Sequence, residues 1–246
     1  MINQIYSEWI KIKSVRSNII LFILSIVFTS IIAGLAMINA ENDKTVDEAF
    51  LGFLIAQMFF LVIGIQIIGQ EYRFKTIRNT LAVTPKRMKV YIAKLLTLVI
   101  TIFATSTILV IVSLIIAQFA LAIQGHKILF ESGSSLKFIF LLCMVSVLIS
   151  LFGFAIGSIL RQPVAAIVLS LVWVLIAENL IAGLLTLANV SIFQWMPYWS
   201  LVGTLDKSYG EAEGTFSSPY LGLLYSGSVF LVLIIIGGCI LEKRDA

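Results

Sequence analysis

Six apolar segments, each long enough to cross a membrane as a helix, follow one another along the chain. A helix needs roughly 20 apolar residues to cross the hydrocarbon core of a bilayer. The composition, 60% hydrophobic and 12% charged, also lies far outside the range of soluble domains. We therefore predict an all-α, polytopic membrane protein in which residues 1–246 form a single transmembrane domain. The six predicted transmembrane helices are residues 18–38, 49–69, 95–123, 138–160, 164–187 and 220–241.

The Lys and Arg residues are distributed unevenly between the two predicted sides of the membrane. Lys and Arg accumulate in the cytoplasmic loops of membrane proteins, and the bias sets their orientation. This pattern predicts that the N- and C-termini are both cytoplasmic. It gives no indication of nucleic-acid binding, because the basic residues follow membrane sidedness. With the N-terminus inside, the Lys and Arg residues on the outside are only Lys44, Lys127, Lys137 and Lys207.

A polar and strongly basic segment, residues 70–94, separates the second and third predicted spans, and we call it the central basic segment. An apolar stripe at helical spacing predicts a short amphipathic helix in its first half. Thr84 and Pro85 then suit the N-cap and the first residue of a second helix. The segment is either a basic cytoplasmic loop or a docking element for a soluble partner. The apolar stripe consists of Phe74, Ile77 and Leu81.

This segment resembles the one between the second and third membrane helices of ABC type-2 permeases (type V exporter-like), especially the small bacterial ones near the bacitracin and lantibiotic-immunity transporters. In that family a Glu opens an interfacial helix and a Thr-(Ile/Val)-Arg step follows. A Pro-x-Arg step then precedes a Lys that enters the third span. The matching residues here are Glu71, Thr76-Ile77-Arg78, Pro85-Lys86-Arg87 and Lys94.

The resemblance implies that the central basic segment couples the chain to an ABC ATPase subunit dimer. It further implies a multi-pass permease of the bacterial cytoplasmic membrane, paired with a second copy or a sister permease and surrounded by lipid. The implied cargo of this exporter is a hydrophobic peptide, an antibiotic or a similar amphiphile. ATP and magnesium would bind to the partner ATPase, with no cofactor in this chain. The implied coupling residues are Glu71, Arg73, Thr76, Arg78, Thr84, Pro85 and Arg87.

Motifs for ATP hydrolysis or catalysis are absent from the sequence. No G-x-x-x-x-G-K-[ST] motif is found, so we expect any ATPase activity to come from another chain. The single histidine, His126, has no nearby Cys or acid pair, so neither a metal site nor an enzyme is predicted. Two alternatives to the exporter remain, which are a proton-coupled secondary carrier using Glu178 and a non-transporting membrane immunity or scaffold protein.

Glu178 is the only charged residue inside a predicted span, and the polar Asn179 follows it. Charged side chains within a membrane usually face a bundle interior or water. Three interpretations stay open. Glu178 is a protonated, hydrogen-bonded packing residue, or it lines the pathway or dimer interface, or it carries protons in a secondary carrier.

Residues 188–219, between the last two predicted spans, form the longest predicted outside segment. Aromatic residues around a proline at the end of a span are typical of an interfacial or re-entrant element. ABC type-2 permeases place short helices there, and this segment resembles them in position and aromatic content. The residues concerned are Trp195, Pro197, Tyr198 and Trp199.

Three further expectations concern helix packing. Residues 1–17 form either an amphipathic helix on the inner leaflet, with Trp9 as its interfacial anchor, or a simple leader to the first span. Gln57 and Gln66 are expected to hydrogen-bond to neighbouring helices, because an unpaired amide in lipid is costly. The Gly153-x-x-x-Gly157 pattern predicts a close helix–helix approach.

Overall fold

The computed structural model describes residues 2–38, 48–74, 76, 87–124, 132–178, 180, 181, 184, 197, 201 and 219–243. These residues are almost entirely helical and contain no strand, which confirms the predicted all-α fold. A 3-10 turn lies at Glu48–Phe50 and a π-helical segment at Trp173–Ala177. The α-helices are α1 (Ile2–Ser14), α2 (Arg16–Ile38), α3 (Phe53–Arg73), α4 (Arg87–Gln124), α5 (Ser132–Leu160), α6 (Pro163–Val172) and α7 (Pro219–Lys243).

Five of these helices, α2, α3, α4, α5 and α7, are long and apolar enough to cross a membrane. They contain five of the six predicted spans, except that α3 begins four residues after the start predicted at 49. The fifth predicted span, 164–187, corresponds to a shorter apolar helix over Pro163–Ala177. The rest of that span lies largely outside the described residues, so the count of six remains a prediction.

Side chains near one end of the bundle bring together the start of α4 and the ends of α5 and α7, so α4 runs antiparallel to α5 and α7. Arg87, at the start of α4, donates from Nη1 to the carbonyl oxygen of Leu241 in α7 at 3.3 Å. Arg161, just after α5, donates from Nη2 to the carbonyl oxygen of Ile240 at 3.0 Å. We call this end the basic end. It contains cationic residues that the positive-inside rule assigns to the cytoplasm, and its sidedness remains a prediction.

Helices α3 and α5 form the centre of the bundle and approach each other closely through glycine. A Cβ atom on Gly153 would lie 2.2 Å from the carbonyl oxygen of Leu61. A Cβ atom on Gly64 would likewise lie 2.1 Å from the carbonyl oxygen of Ser150. A larger residue cannot fit at either position without moving backbone. The predicted packing role of the Gly153-x-x-x-Gly157 pattern is therefore confirmed.

Gln57 and Gln66, both in α3, behave differently. The Oε1 atom of Gln66 accepts a hydrogen bond from Ser17 Oγ of α2 at 2.9 Å, as predicted. Gln57 is fully buried, but neither of its amide atoms has a hydrogen-bond partner among the residues that the structure describes. The prediction for Gln57 is therefore wrong, because burial among helices does not by itself place a polar group within reach.

Candidate functional site

Four charged side chains from three helices meet at the basic end, and we call them the ionic cluster. Lys94 Nζ of α4 lies 2.7 Å from Glu71 Oε1 of α3 and 2.5 Å from Glu8 Oε2 of α1. Lys11 Nζ of α1 lies 2.9 Å from the same Glu71 oxygen and 2.6 Å from Glu8 Oε1. Two acids and two bases therefore balance in charge and tie α1, α3 and α4 together.

Three members of the ionic cluster are withdrawn from solvent. Glu8, Glu71 and Lys94 are only 5%, 7% and 2% exposed, whereas the side chain of Lys11 is partly exposed. Charges are rarely buried without partners, because their desolvation costs several kcal/mol for each ion. Burial lowers the pKa of Lys11, but hydrogen bonds to Glu8 and Glu71 outweigh it and raise the pKa above its ordinary value. Lys11 therefore stays charged at neutral pH.

Helix α1 supplies half of the ionic cluster because of its two-sided surface. Glu8 and Ile12, one helical turn apart, are buried against the bundle. Tyr6, Trp9 and Ile10 are exposed on the other side. A helix is therefore present over Ile2–Ser14, but its buried face includes the charged Glu8. Its placement on the inner leaflet, with Trp9 as the anchor, remains a prediction.

Glu71 was expected to be presented to the ATPase subunit, but the structure buries it. It is buried because α1 covers the end of α3, and Lys94 and Lys11 occupy one of its carboxylate oxygens. Arg73 is exposed, and so is Phe74, at 64%. Among the described residues that follow Glu71 at the end of α3, Arg73, Phe74 and Thr76 are thus the exposed ones.

The other predicted coupling residues are only partly described. The backbone N–H of Thr76 donates to the carbonyl oxygen of Glu71 at 3.0 Å, which continues the chain directly from α3. Arg87 is the first residue of α4 and contacts the end of α7. Arg78, Thr84 and Pro85 lie outside the described residues, so their roles, and the second helix start predicted at Thr84, remain predictions.

Glu178 forms a second buried site, away from the basic end. It is 1% exposed, and its Oε1 atom accepts a hydrogen bond from Trp173 Nε1 at 2.7 Å. The intervening residues form the π-helical segment, in which the backbone N–H of Glu178 donates to the carbonyl oxygen of Trp173. Both groups border a cavity of about 410 Å³. The burial and the hydrogen bond are compatible with all three interpretations, which stay predictions.

The predicted outside aromatic segment is described at Pro197 alone. The carbonyl oxygen of Pro197 accepts a hydrogen bond from Ser226 Oγ of α7 at 3.0 Å. Pro197 also borders the Glu178 cavity. Asn179, Trp195, Tyr198 and Trp199 lie outside the described residues.

Sequence reasoning missed several residues of these two sites. Glu8 lies three residues after Ile5 and four before Ile12, so helical spacing could have placed it on the apolar, inward face of α1. Lys94 was noted only through the resemblance, and its pairing with Glu71 was missed. Opposite charges flanking a helix–loop–helix turn, as Glu71 and Lys94 do, were the available signal. No sequence pattern indicated the contact between Trp173 and Glu178, because it depends on a local π-helix.

Comparisons with known proteins agree with this architecture. Residues 4–177 match the sequence model of a family described as ABC-2 family transporter protein. The chain is also 27% identical over 216 residues to a protein of Bacillus subtilis (strain 168) named "Uncharacterized membrane protein YdbK". That alignment covers 81% of this chain and 84% of the relative. Because the family match spans well over half of the chain, this multi-pass membrane protein belongs to the ABC-2 family of transporter proteins, whose membrane components are non-catalytic permeases that work with an ABC ATPase.

Proposed function

We propose that the chain is the membrane-spanning subunit of an ATP-driven exporter for a hydrophobic peptide, an antibiotic or a similar amphiphile. The family membership supports the permease role, and the resemblance to bacitracin and lantibiotic-immunity permeases supports the direction and cargo. ATP and magnesium bind to a separate pair of ATPase subunits. Two copies of this chain, or this chain and a sister permease, face each other across the pathway.

The ionic cluster is the observation that supports the proposed coupling mechanism. The central basic segment, residues 70–94, joins the end of α3 to the start of α4 along the chain. Lys94 pairs with Glu71 and with Glu8, and these ion pairs hold α3, α4 and α1 together. They lie within about two helical turns of the end of α3 and the start of α4. A force on the segment therefore moves α1, α3 and α4 as one body, which is a rigid-body mode of coupling.

ATPase docking is proposed to use the exposed part of the segment rather than Glu71. The exposed Arg73, and Arg78 five residues later in the sequence, supply the positive charge. Charge complementarity at an interface sets partner choice and orientation. Co-purification of the permease with its ATPase subunit tests this. Arg78→Glu should abolish co-purification and stimulated ATP hydrolysis while membrane insertion stays normal.

The matched control for this experiment is Lys207→Glu, the same charge reversal in the segment predicted to lie outside the cell. It should leave ATPase binding unchanged. Normal co-purification of the Arg78→Glu variant would show that the segment is only a basic loop and not a docking element. Glu71→Arg is unsuitable as a docking test, because it places a third cation against Lys94 and Lys11 and disturbs the bundle itself.

A second candidate function is a proton-coupled secondary carrier, and the buried Glu178 is the observation that favours it. Protonatable residues within a membrane are a common feature of proton relays. The two functions separate in an export assay in which ATP is held constant and an uncoupler collapses the proton gradient. Continued export supports the ATP-driven mechanism, whereas immediate loss of export supports the carrier.

A further inference from the structure

A cavity of about 260 Å³ borders the ionic cluster at the basic end, and we call it the ionic-cluster cavity. Its described lining comes from the second half of α1, the start of α2, the end of α3 and Lys94 of α4. Sites for drug-sized molecules typically have volumes of about 300–1,000 Å³. The size of this cavity therefore fits a small polar group better than a whole amphiphile.

The ionic-cluster cavity lies at the level where two membrane-spanning helices end. Asn18 is the third residue of α2, and Gln70 and Glu71 belong to the last turn of α3. Both helices are long and apolar enough to cross a membrane, and polar headgroup regions flank the hydrocarbon core of a bilayer. Phe74 also borders the cavity and is 64% exposed, so the cavity reaches the surface of the bundle. Lipid headgroups are therefore the polar groups expected beside it.

Two buried acceptor atoms at this cavity have no donor. Glu71 Oε1 accepts hydrogen bonds from Lys11 and Lys94, whereas Glu71 Oε2 has no partner among the described residues. The same holds for Asn18 Oδ1. Glu71 and Asn18 are only 7% and 2% exposed, so both acceptors are withdrawn from bulk water. Because a buried acceptor without a donor destabilises the fold, a guest at this cavity should donate hydrogen bonds.

A cation at the same cavity is available for an anionic group. Lys11 Nζ donates to Glu8 and Glu71, which uses two of its three N–H bonds. The side chain of Lys11 borders the cavity and is 44% exposed, so its third N–H can reach a group that enters from the surface. An ammonium group joined to a phosphate by a short chain would therefore find both acceptors and a donor here.

We propose that the ionic-cluster cavity binds the headgroup of a membrane lipid with a primary ammonium group, of the phosphatidylethanolamine type. The ammonium group donates hydrogen bonds to Glu71 Oε2 and Asn18 Oδ1, and the phosphate accepts one from Lys11 Nζ. The zwitterion adds no net charge to the neutral ionic cluster. The acyl chains stay outside the cavity, against the exposed Ile19 and Ile20 that follow Asn18 in α2.

The experiment is native mass spectrometry of the full-length protein in detergent, titrated with lipids that share the same acyl chains. Phosphatidylethanolamine has an ammonium group with N–H donors, phosphatidylcholine has the same charges without any N–H, and phosphatidylglycerol has the phosphate without an ammonium group. A hydrogen bond to a charged group corresponds to a factor of about ten or more in affinity. Phosphatidylethanolamine should therefore bind about tenfold or more tightly than the other two lipids. Soluble phosphoethanolamine, which lacks acyl chains, should bind much more weakly than the lipid.

Substitution of Asn18 assigns this preference to the cavity without altering the ion pairs. Asn18→Leu has a similar volume but no acceptor, so it should weaken phosphatidylethanolamine binding about tenfold and leave phosphatidylcholine binding unchanged. Thermal unfolding without lipid should be unaffected, since Asn18 Oδ1 has no partner to lose. The matched control is Gln162→Leu, the same change from amide to Leu at an exposed position that does not border the cavity. It should change neither affinity.

Glu71→Gln provides a second variant, which keeps the shape of the side chain and removes its charge. It should also weaken phosphatidylethanolamine binding, and thermal unfolding shows whether the fold is retained, because Glu71 belongs to the ionic cluster.

Three outcomes would overturn the inference. Equal affinity for phosphatidylethanolamine and phosphatidylcholine would show that the protein does not select an N–H donor. Undiminished phosphatidylethanolamine binding by both the Asn18→Leu and Glu71→Gln variants would place the lipid elsewhere on the protein. Soluble phosphoethanolamine that binds as tightly as the lipid would identify the guest as a free metabolite. All three are independent of the proposed export function, because lipid binding requires no ATPase.

Discussion

The ionic cluster and the Glu178 cavity both bury carboxyl groups, but they compensate them in different ways. In the ionic cluster, Glu71 contacts Lys11 of α1 and Lys94 of α4. Glu8 contacts Lys94 of α4 and also Lys11 on its own helix. At the cavity, Glu178 accepts a hydrogen bond from an indole five residues away on its own helix. The first arrangement is internally neutral and joins three helices. The second involves one helical segment and lies beside a cavity of about 410 Å³.

This difference predicts different effects of mutations at the two places. Breaking a buried ion pair by removing one partner leaves an uncompensated charge and destabilises the fold strongly. The hydrogen bond from Trp173 to Glu178 joins two residues of one helical segment, so its loss disturbs the packing between helices less. Mutations in the ionic cluster should therefore act mainly on stability, and mutations at the Glu178 cavity mainly on export.

The largest effect on stability is expected for Lys94→Met, which leaves Glu8 and Glu71 facing each other without their shared cation. Removing one partner of a buried ion pair costs about 3–5 kcal/mol. Thermal unfolding of the purified protein and its expression level measure the loss. Lys89→Met, a control at an exposed position of α4, should be nearly neutral. Equal stability of the two variants would contradict the interpretation that the ionic cluster holds α1, α3 and α4 together.

A smaller effect is expected for Trp173→Phe, which keeps an aromatic ring but removes the donor to Glu178. A hydrogen bond to a charged group contributes about 1.5–3 kcal/mol, and a neutral one about 1 kcal/mol. Unfolding measurements should therefore fall between the Lys94→Met variant and the wild type. Glu178→Gln keeps an acceptor for the indole and should be more stable than Trp173→Phe while impairing export. Normal export by both Glu178→Gln and Glu178→Ala would exclude an essential role for the carboxyl group.

A still smaller effect is expected for Lys11→Met, because the side chain of Lys11 is partly exposed. Water and salt screen such pairs, which contribute about 1 kcal/mol or less. The raised pKa of Lys11 means that this contribution is fully present at neutral pH and disappears only as pH rises through the folded-state pKa. Unfolding at two salt concentrations tests the assignment. A loss as large as that of Lys94→Met would show that both lysines are equally necessary.

The smallest perturbation comes from cysteine labelling, which tests on which side of the membrane the ionic cluster lies. In a background without Cys143 and Cys239, cysteines introduced at Lys13 and Lys243 should resist an impermeant maleimide in intact cells. A cysteine at Lys207 should react, while protein stability stays unchanged. Labelling at Lys13 from outside would place the basic end on the outer surface and remove the basis for ATPase docking there.

The sequence by itself determined the class of protein and most of the span positions. Continuous apolar runs have few stable conformations in a bilayer other than helices, because their backbone groups must pair internally. The close approach at Gly153 and Gly157 was also predictable, since only glycine lets two helix backbones come so near. The central basic segment, with its resemblance to ABC type-2 permeases, indicated the family that the comparisons then showed.

Only the tertiary structure decided which polar groups meet. Glu71 was expected to face a partner, but helix α1, far from it in sequence, covers it with Glu8 and Lys11. The hydrogen bond between Trp173 and Glu178 depends on a π-helical segment that the sequence pattern does not predict. Periodicity reports which face of a helix is apolar, and it contains no information about the neighbour that covers that face. Partners distant in sequence are chosen by packing, so the ionic cluster and the cavity could be found only in three dimensions.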